Sequence, residues 1–406
     1  MKLFIKLAWR NIWRNKRRTI LAASSIFFAI VLAIFTRSMQ YGTYDYMIDS
    51  AVRMYTGYLQ IHGKNYWEER SLEKSIEVNE EIIKRIESIK FVEIAVPRLE
   101  NFLLVSSREI TKAANIICID PEKENRMTRL NKKIISGRYL NKYDEGLLIS
   151  EGLAKMLQVK TGDSVVLYGQ GIYGITVATI CPIVGIIKFE LPDLNNSFIY
   201  IPLLYGQKLF SMENRITTIS IMINNPKNIN YVLSDVKKIV NQNYDILTWE
   251  EMMPELVQGI QLDSAGGLIM LFILYLVIAF GIFGTVMMMT AERTKEFGVL
   301  LAVGVNKIKL ISITTIEAIL ISLIGAISGI FVSIPLVLYF KNNPIRFTGE
   351  LAEISLKFGV EPIIPLSSDY SIFIAQTFVV LTIALLSSLY PINYIRKLKP
   401  VEGMRL

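Results

Sequence analysis

The stretch Thr290–Ile308, TAERTKEFGVLLAVGVNKI, lies between two long apolar runs, and the rest of the chain is arranged around it. Charged residues come first, and four apolar or small residues then follow at the spacing of one helix face. These four are Phe297, Leu300, Leu301 and Gly304. Because glycine adopts the left-handed conformation at low cost, Gly304 can end the helix. We therefore expect a short amphipathic helix at a membrane surface, which is either a contact for a cytosolic partner or an ordinary charged loop that fixes orientation.

The composition is typical of a membrane protein. Of the 406 residues, 52% are hydrophobic and 20% are charged, and the net charge is +8. The positive charge is concentrated in residues 1–18, which carry seven basic side chains and no acidic one, and in residues 292–309 and 396–406. Because these segments flank apolar runs, the excess indicates cytosolic loops and attraction to membrane lipids, not a nucleic-acid interface.

Four apolar runs are long enough to cross a bilayer, which takes about 20 residues. In chain order we expect an amphipathic elbow helix at 1–18, a first span at 19–40, an extracytoplasmic domain at 41–267, a second span at 268–291, a cytoplasmic coupling helix at 292–307, a third span at 308–340, an extracytoplasmic loop at 341–370, a fourth span at 371–395 and a cytoplasmic tail at 396–406. Both termini are then cytoplasmic. Two alternatives are a basic N-terminus without structure and a cleaved signal peptide, but the poor cleavage site after the first run favours an uncleaved anchor.

The extracytoplasmic segment is long enough to form its own core, and its pattern predicts an α+β domain. A helical continuation of the first span, ended by Gly57, leads into a strand–helix–strand unit. Short β-rich runs separated by turn residues then predict a β-rich insert at about 116–215, after which the α+β unit resumes. The individual elements include a helix at Val78–Lys90, strands at Phe91–Pro97 and Asn101–Ser107, and a turn at Asp120-Pro121-Glu122.

The sequence contains no arrangement typical of a catalytic site. A GxxxxGK[ST] phosphate loop is absent, as are GxSxG, HExxH and CxxC motifs. The two cysteines, Cys118 and Cys181, and the single histidine, His62, argue against a His/Cys metal site. We interpret His62 as a structural residue and the cysteines as small buried side chains, with a disulfide as the alternative in an oxidising compartment. We expect that the chain is not an enzyme and that another chain supplies energy from ATP.

Two features of the third span predict contacts inside the membrane. Glu317 is the one acid well inside a span, so it needs either a partner, for which Arg293 is a candidate, or a position that water reaches from the interface. Gly325 and Gly329 form a GxxxG motif, which permits close helix packing within the subunit or across a dimer, although small residues are also frequent in spans generally.

The pattern Glu292-Arg293-x-x-Glu296-x-Gly298-x-x-x-Ala302-x-Gly304 closely resembles the cytoplasmic loop of the FtsX-like/MacB-like permeases of ABC exporters, a superfamily that includes the lipoprotein-releasing (Lol-type) permeases. Other segments resemble further parts of the family in the same order. They are the elbow AWRNIWRNKRR at 8–18, the outer-domain signature ISE-x-LA-x-x-L-x-V-x-x-GD at 149–163, and the closing motifs Tyr390-Pro391 and Lys399-Pro400-Val401-Glu402. Together these loose motifs cover essentially the whole chain.

The resemblance implies a fold and a set of partners. The outer domain would contain a mixed α/β lobe, called Porter, and a β-rich lobe, called Sabre. The permease would pair with a second, identical or homologous permease in the inner membrane and with two copies of a cytosolic ATPase, which bind ATP and Mg; this chain itself would hold no cofactor. A permease without its own ATPase fits the Lol-type better than the MacB-type, with a lipoprotein as substrate. The short segment Tyr168–Ile175 leaves the recruitment of a periplasmic chaperone open.

The resemblance also implies a mechanism in which the ATPase moves the cytoplasmic helix and thereby tilts the two flanking spans. The residues expected to couple to the ATPase are Glu292, Arg293, Glu296, Phe297, Gly298, Leu300, Leu301, Ala302 and Gly304. If acyl chains are the substrate, side chains near the outer ends of the first two spans would contact them, unless these positions simply face lipid. They are Met39, Tyr41, Tyr46, Leu262, Leu268, Phe272 and Tyr275. The competing functions are MacB-like efflux of peptides or drugs, FtsX-like signalling to a cell-wall hydrolase, and a receptor without an ATPase.

Overall fold

The computed structural model describes residues 2–14, 16–189, 191–240, 243–350, 352 and 362–399. The chain divides into two compact units. The first, here called the helical unit, comprises 1–46, 259–346 and 363–406, and the second, the sheet unit, comprises 47–258 and 347–362. Residues 353–361 of the expected loop and Pro400, Val401 and Glu402 of the closing motif lie outside the described residues.

Helices occur in both units. In chain order they are α1 (Lys2–Arg14), α2 (Lys16–Ala51), α3 (Tyr66–Glu69), α4 (Glu80–Glu87), α5 (Pro121–Thr128), α6 (Glu151–Leu157), α7 (Pro192–Ser197), α8 (Leu203–Leu209), α9 (Ile229–Ile239), α10 (Trp249–Met252), α11 (Pro254–Glu292), α12 (Thr294–Ala302), α13 (Lys307–Asn342), α14 (Tyr370–Ser387) and α15 (Leu389–Lys397). A π-helical turn, Val52–Thr56, continues α2 and ends at Gly57, whose φ is 73°. The positive φ explains why glycine stands there.

Four segments of the described chain are long and apolar enough to cross a membrane. They are Thr19–Thr56, Pro254–Glu292, Lys307–Asn342 and Tyr370–Lys397. The helices α2 and α11 contain 36 and 39 residues, so each extends well beyond the roughly 20 residues that the hydrocarbon core requires. The helix α13 continues through Pro335, and the last segment is interrupted at Ser388, between α14 and α15.

The sheet unit is built on one 10-stranded sheet. Its strands are β1 (Leu59–Gly63), β2 (Ile76–Glu77), β3 (Val92–Ser107), β4 (Ile110–Ile119), β5 (Ile134–Gly137), β6 (Leu147–Ser150), β7 (Ser164–Gln170), β8 (Thr176–Ile187), β9 (Phe198–Pro202), β10 (Arg215–Ile216), β11 (Thr218–Ile223) and β12 (Tyr244–Thr248). Two further short strands, β13 (Ile345–Arg346) and β14 (Ile363–Ile364), belong to the helical unit. The order in the sheet is β12-β1-β11-β3-β4-β9-β6-β8-β5, and β7 pairs with β3 and β8. The short strands pair separately, β2 with β10 and β13 with β14. The predicted fold class, four apolar helices with a large α+β domain, is confirmed.

Three buried clusters form the core of the sheet unit, and β3 belongs to two of them. Ala95 and Val96 pack in a cluster with residues of α4, α9, β1 and β11. Leu99 and Leu103 pack in a second cluster with residues of β4, α6, β7 and β8. The change from one of these cores to the other therefore occurs on β3 near residue 98.

Two local predictions in this region are wrong. The strands predicted at Phe91–Pro97 and Asn101–Ser107 are the single strand β3, because the polar side chains between them are buried and paired instead of lying in a loop. The turn predicted at Asp120-Pro121-Glu122 is the start of α5. The Asp120 carboxylate accepts hydrogen bonds from the backbone N–H groups of Glu122 and Lys123, which makes it an N-cap followed by proline at the first helical position.

Candidate functional site

The helix α12 occupies the stretch in which an amphipathic helix was expected. Only Arg293 separates α12 from α11, and residues 303–306 connect α12 to α13. Gly304, with a φ of 95°, lies in this connection, and the Asn306 side chain accepts a hydrogen bond from the Ile308 N–H at the start of α13. Short connections on both sides leave α12 little freedom to move without α11 and α13.

The inward side of α12 packs against two other helices of the helical unit. The buried Phe297 contacts a cluster formed by Leu310 of α13 and by Ile395 and Leu398 at the C-terminal end of α15, and Leu301 packs at its edge. Polar contacts reinforce this packing. The hydroxyls of Thr294 and Tyr394 are 3.0 Å apart, and the Lys307 ammonium donates to the Arg396 carbonyl over 2.9 Å.

The outward side of α12 carries three exposed apolar side chains beside the charged Lys295 and Glu296. Val299, Leu300 and Val303 are 51%, 41% and 80% exposed. The sequence placed Leu300 on the same face as Phe297, and the structure corrects this. Successive helical residues differ by about 100° around the axis, and the buried sector is centred between Phe297, Leu301 and Gly298, so Leu300 falls outside it. Glu292, Glu296, Ala302 and Gly304 are also exposed, whereas Arg293 and Gly298 are buried.

Arg293 and Glu317 form a buried ion pair at the base of α12. The guanidinium Nη1 donates to the Glu317 carboxylate over 2.7 Å, and both side chains are more than nine-tenths buried. The Arg293 Nε lies 3.6 Å from the Glu296 carboxylate, which is itself 3.7 Å from the Arg14 guanidinium. A chain of four alternating charges thus connects α1, α12 and α13. Beside the pair is a cavity of about 60 Å³, which is enough space for a few water molecules.

The two glycines of the GxxxG motif pack against α2 of the same chain. A Cβ at Gly325 would lie 2.7 Å from the Ala23 carbonyl oxygen, and one at Gly329 would lie 3.1 Å from the Ile30 side chain. Of the two arrangements left open by the sequence, packing within the subunit is therefore the one in the structure. The helices α2 and α13 approach closely because neither glycine carries a side chain.

The residues expected to contact acyl chains do not form one surface. Tyr41, Leu262, Leu268 and Phe272 are exposed. Met39 and Tyr275 instead pack at the edge of the helix core, where the Tyr275 hydroxyl donates to the Gln376 side chain. Tyr46 is half-buried.

The sequence did not predict two contacts between polar side chains. Near the C-terminal end of α2, the Tyr44 hydroxyl donates to the Asp263 carboxylate of α11 over 2.6 Å. In the sheet unit, the Arg98 guanidinium donates twice to the Glu124 carboxylate, over 2.8 Å each, and also to the Tyr55 carbonyl in the π-helical turn. An isolated acid at the start of an apolar run could have indicated Asp263. No local pattern indicates the Arg98–Glu124 pair.

The single histidine and the two cysteines are buried in the sheet unit. The His62 Nδ1 lies 3.2 Å from the Thr217 carbonyl oxygen, and burial lowers the pKa of His62 from 6.5 to about 4. Cys118 and Cys181 are free thiols, so the alternative of a disulfide is not the one in the structure. In the described part of the chain, no group of three or more His, Cys, Asp or Glu side chains is placed to hold a metal ion.

Comparison with known families covers both units. Residues 19–239 match the MacB-like periplasmic core domain, and residues 268–400 match the FtsX-like permease C-terminal region. The chain belongs to the FtsX-like/MacB-like ABC transporter permeases. The resemblance inferred from its motifs is thereby confirmed. As a permease of this family, the chain is a membrane subunit of an ABC transporter, and membership implies a cytosolic ATPase partner and a permease dimer.

Similar individual proteins carry three different names. The lipoprotein-releasing system transmembrane protein LolC of Buchnera aphidicola is 24% identical over 333 residues, which are 77% of each chain. An uncharacterized ABC transporter permease of Methanocaldococcus jannaschii is 22% identical over 346 residues, 81% of this permease and 82% of the relative. The macrolide export ATP-binding/permease protein MacB of Mannheimia succiniciproducens is 43% identical over 63 residues, which are 16% of this permease and 10% of the relative.

Proposed function

We propose that this permease couples ATP hydrolysis by a separate cytosolic ATPase to the extraction of lipoproteins from the outer leaflet of the inner membrane. The observation that carries the coupling role is the two-sided character of α12. Its inward residue Phe297 is fixed to α13 and α15, while Val299 and Val303 present exposed apolar surface. Apolar side chains at the centre of an interface supply much of the binding energy between proteins.

The proposed orientation places both termini and α12 in the cytosol and the sheet unit outside. Its support is the distribution of charge, because residues 1–18, the α12 region and the C-terminal tail carry the basic excess. In this orientation the ATPase meets Val299, Leu300 and Val303 directly. Phe297 and Leu301, which were expected to couple to the ATPase, transmit its movement to the spans.

Movement of α12 reaches the spans by two routes. Phe297 presses on Leu310 and Ile395, so a displacement of α12 displaces α13 and α15. The Arg293–Glu317 pair ties the corner between α11 and α12 to α13. Because a buried charge cannot be left without its partner at low cost, the three helices move together. We propose that this movement expels the substrate on the outer side and that no water-filled pore is involved.

Exposed apolar side chains on α11 are the proposed contact for acyl chains. Leu262, Leu268 and Phe272 are 76%, 54% and 65% exposed, and Tyr41 of α2 is also exposed. Met39 and Tyr275 are removed from this surface by their packing, so their role is to support it. The lipoprotein itself is proposed from the similarity to LolC proteins.

The function is tested by reconstituting the permease with its ATPase in liposomes that contain a triacylated lipoprotein. We expect lipoprotein release that requires ATP and is lost when the ATPase cannot hydrolyse ATP. Release of the lipoprotein without ATP, or no release under conditions in which ATP is hydrolysed, would contradict the proposed substrate.

A parallel assay with peptides and macrolides tests the second candidate, MacB-like efflux, which the match to the MacB-like periplasmic core domain supports. Activation of a cell-wall hydrolase in place of release would indicate FtsX-like signalling.

A further inference from the structure

A cleft of about 710 Å³ lies in the helical unit where the junction of α1 and α2 meets α11. Its lining combines basic and apolar side chains. The basic ones are Arg14, Lys16 and Arg17, the apolar ones are Trp13, Leu21, Met288 and Met289, and Thr285 and Glu292 complete the lining. Three cations and one carboxylate leave this small volume with an excess of positive charge.

The cleft also exposes apolar side chains. Trp13, Leu21 and Met288 are 53%, 55% and 59% exposed, and they line the same cleft as the cations. An inorganic phosphate ion would neutralise the cations but leave these apolar side chains uncovered. An acyl chain alone would cover the apolar side chains and leave the cations without a counter-charge.

We propose that this cleft binds one anionic phospholipid, with its phosphate on Arg14, Lys16 and Arg17 and an acyl chain along Leu21 and Met288. Basic pockets between membrane helices on the cytosolic side hold anionic head groups in this way, and the apolar side chains supply the contact that a soluble anion lacks. The site differs from a diffuse attraction of basic residues to the membrane surface, because it is saturable and has a defined stoichiometry.

The position of the cleft links lipid binding to α12. Arg14 already lies 3.7 Å from the Glu296 carboxylate of α12, so a phosphate that binds Arg14 competes with Glu296 for the same guanidinium. The cleft also shares Thr285 and Met289 with the cavity beside the Arg293–Glu317 pair. This link, unlike the binding itself, rests on the proposed coupling function of α12.

The test measures lipid binding by the full-length permease in neutral detergent, without ATPase or lipoprotein. A negative result therefore contradicts the lipid site alone and not the proposed function. Native mass spectrometry counts bound phosphatidylglycerol and phosphatidylcholine. We expect one phosphatidylglycerol per chain, which inorganic phosphate does not displace.

The double variant R14Q/R17Q should weaken phosphatidylglycerol binding roughly thirtyfold, since each basic group near the head group contributes about 1 kcal/mol. The control K6Q/R10Q removes two exposed charges from α1 that do not line the cleft, and it should change binding less than about twofold.

A second variant keeps the result interpretable if R14Q/R17Q fails to fold. Met288→Ser changes an exposed side chain and should weaken phosphatidylglycerol binding while all cleft cations remain. Equal loss in R14Q/R17Q and K6Q/R10Q would indicate diffuse attraction only and overturn the proposal. Displacement of the lipid by inorganic phosphate, or binding of phosphatidylcholine with equal affinity, would overturn it as well.

Discussion

The Arg293–Glu317 ion pair is a contact that is costly to break. Both groups are buried, and the removal of one partner leaves the other charged in apolar surroundings, which typically costs about 3–5 kcal/mol. We predict that Glu317→Gln lowers the thermal midpoint of the purified permease markedly. The control Glu292→Gln, at an exposed position at the end of α11, should change the free energy of unfolding by less than about 1 kcal/mol.

The double variant R293M/E317L separates the contribution of charge from that of packing. Because both charges are removed together, we expect most of the stability to return, while the tie between α12 and α13 remains absent. An unchanged midpoint in Glu317→Gln would show that water or another group already neutralises Arg293 and would contradict this account of the pair.

His62 makes the stability of the sheet unit depend on pH. Its pKa is lowered to about 4 by burial, whereas the unfolded chain has the ordinary value, so the unfolded state binds more protons in this window. Stability therefore falls as the pH drops from about 6.5 to 4, by about 3 kcal/mol in total. The fluorescence of Trp67, whose ring centre is 5.5 Å from that of His62, reports unfolding. His62→Gln should remove this component, and identical pH profiles for variant and wild type would refute it.

Single residues also show what sequence patterns can and cannot predict. An acid within an apolar run needs either a partner or access to water, and Arg293, one candidate partner of Glu317, is the one in the structure. The Arg98–Glu124 pair was missed because the polar residues around Arg98 looked like a break between two strands. A buried ion pair interrupts the alternation of a strand without ending the strand.

At the scale of helices, the close approach of α2 and α13 depends on two glycines. A Cβ at Gly325 would lie 2.7 Å from the Ala23 carbonyl oxygen, so the backbone of one helix would have to shift. We predict that Gly325→Ala costs about 1–3 kcal/mol of stability. The matched control is Gly284→Ala in α11, where no atom lies within 4 Å of the added Cβ, and alanine there should be neutral or slightly stabilising. Thermal unfolding of the two variants makes the comparison, and equal midpoints would argue against the close contact.

The amphipathic pattern predicted that α12 exists and approximately where it ends, but not which side of it faces a partner. That side depends on Ile395 and Leu398, which are almost 100 residues away along the chain. Leu300 therefore lies on the outward side of α12, although the sequence pattern placed it on the same face as Phe297. Periodicity in a helix this short leaves the centre of its buried sector uncertain by about one residue, or 100°.

At the scale of the whole molecule, hydropathy predicted the fold class because long apolar helices are the strongest signal in a sequence. The boundary between the two cores that meet on β3 could not be predicted in the same way. This single strand belongs to both of them. The division is determined by which helices cover the sheet, and these helices come from distant parts of the chain.

The proposed orientation makes a prediction that cysteine labelling can check. Both native cysteines are buried, so they give little background reaction. We expect a membrane-impermeant maleimide to label Tyr143→Cys, an 80% exposed position in the sheet unit, in spheroplasts with an intact inner membrane. Val303→Cys, also 80% exposed, should react only after the membrane is opened. The reverse pattern would place α12 outside and remove it from contact with a cytosolic ATPase.

The central claim is that the outward side of α12 is the contact through which the ATPase drives the permease. The direct measurement is the affinity of the purified ATPase for the double variant V299S/V303S in lipid nanodiscs, with Val166→Ser as the control. Val166 is 41% exposed in the sheet unit and has the same side chain. We predict that V299S/V303S weakens ATPase binding at least about tenfold, since two interface side chains lose roughly 1 kcal/mol each, while its thermal midpoint and the affinity of the control stay unchanged. An affinity equal to that of the wild type would contradict the account.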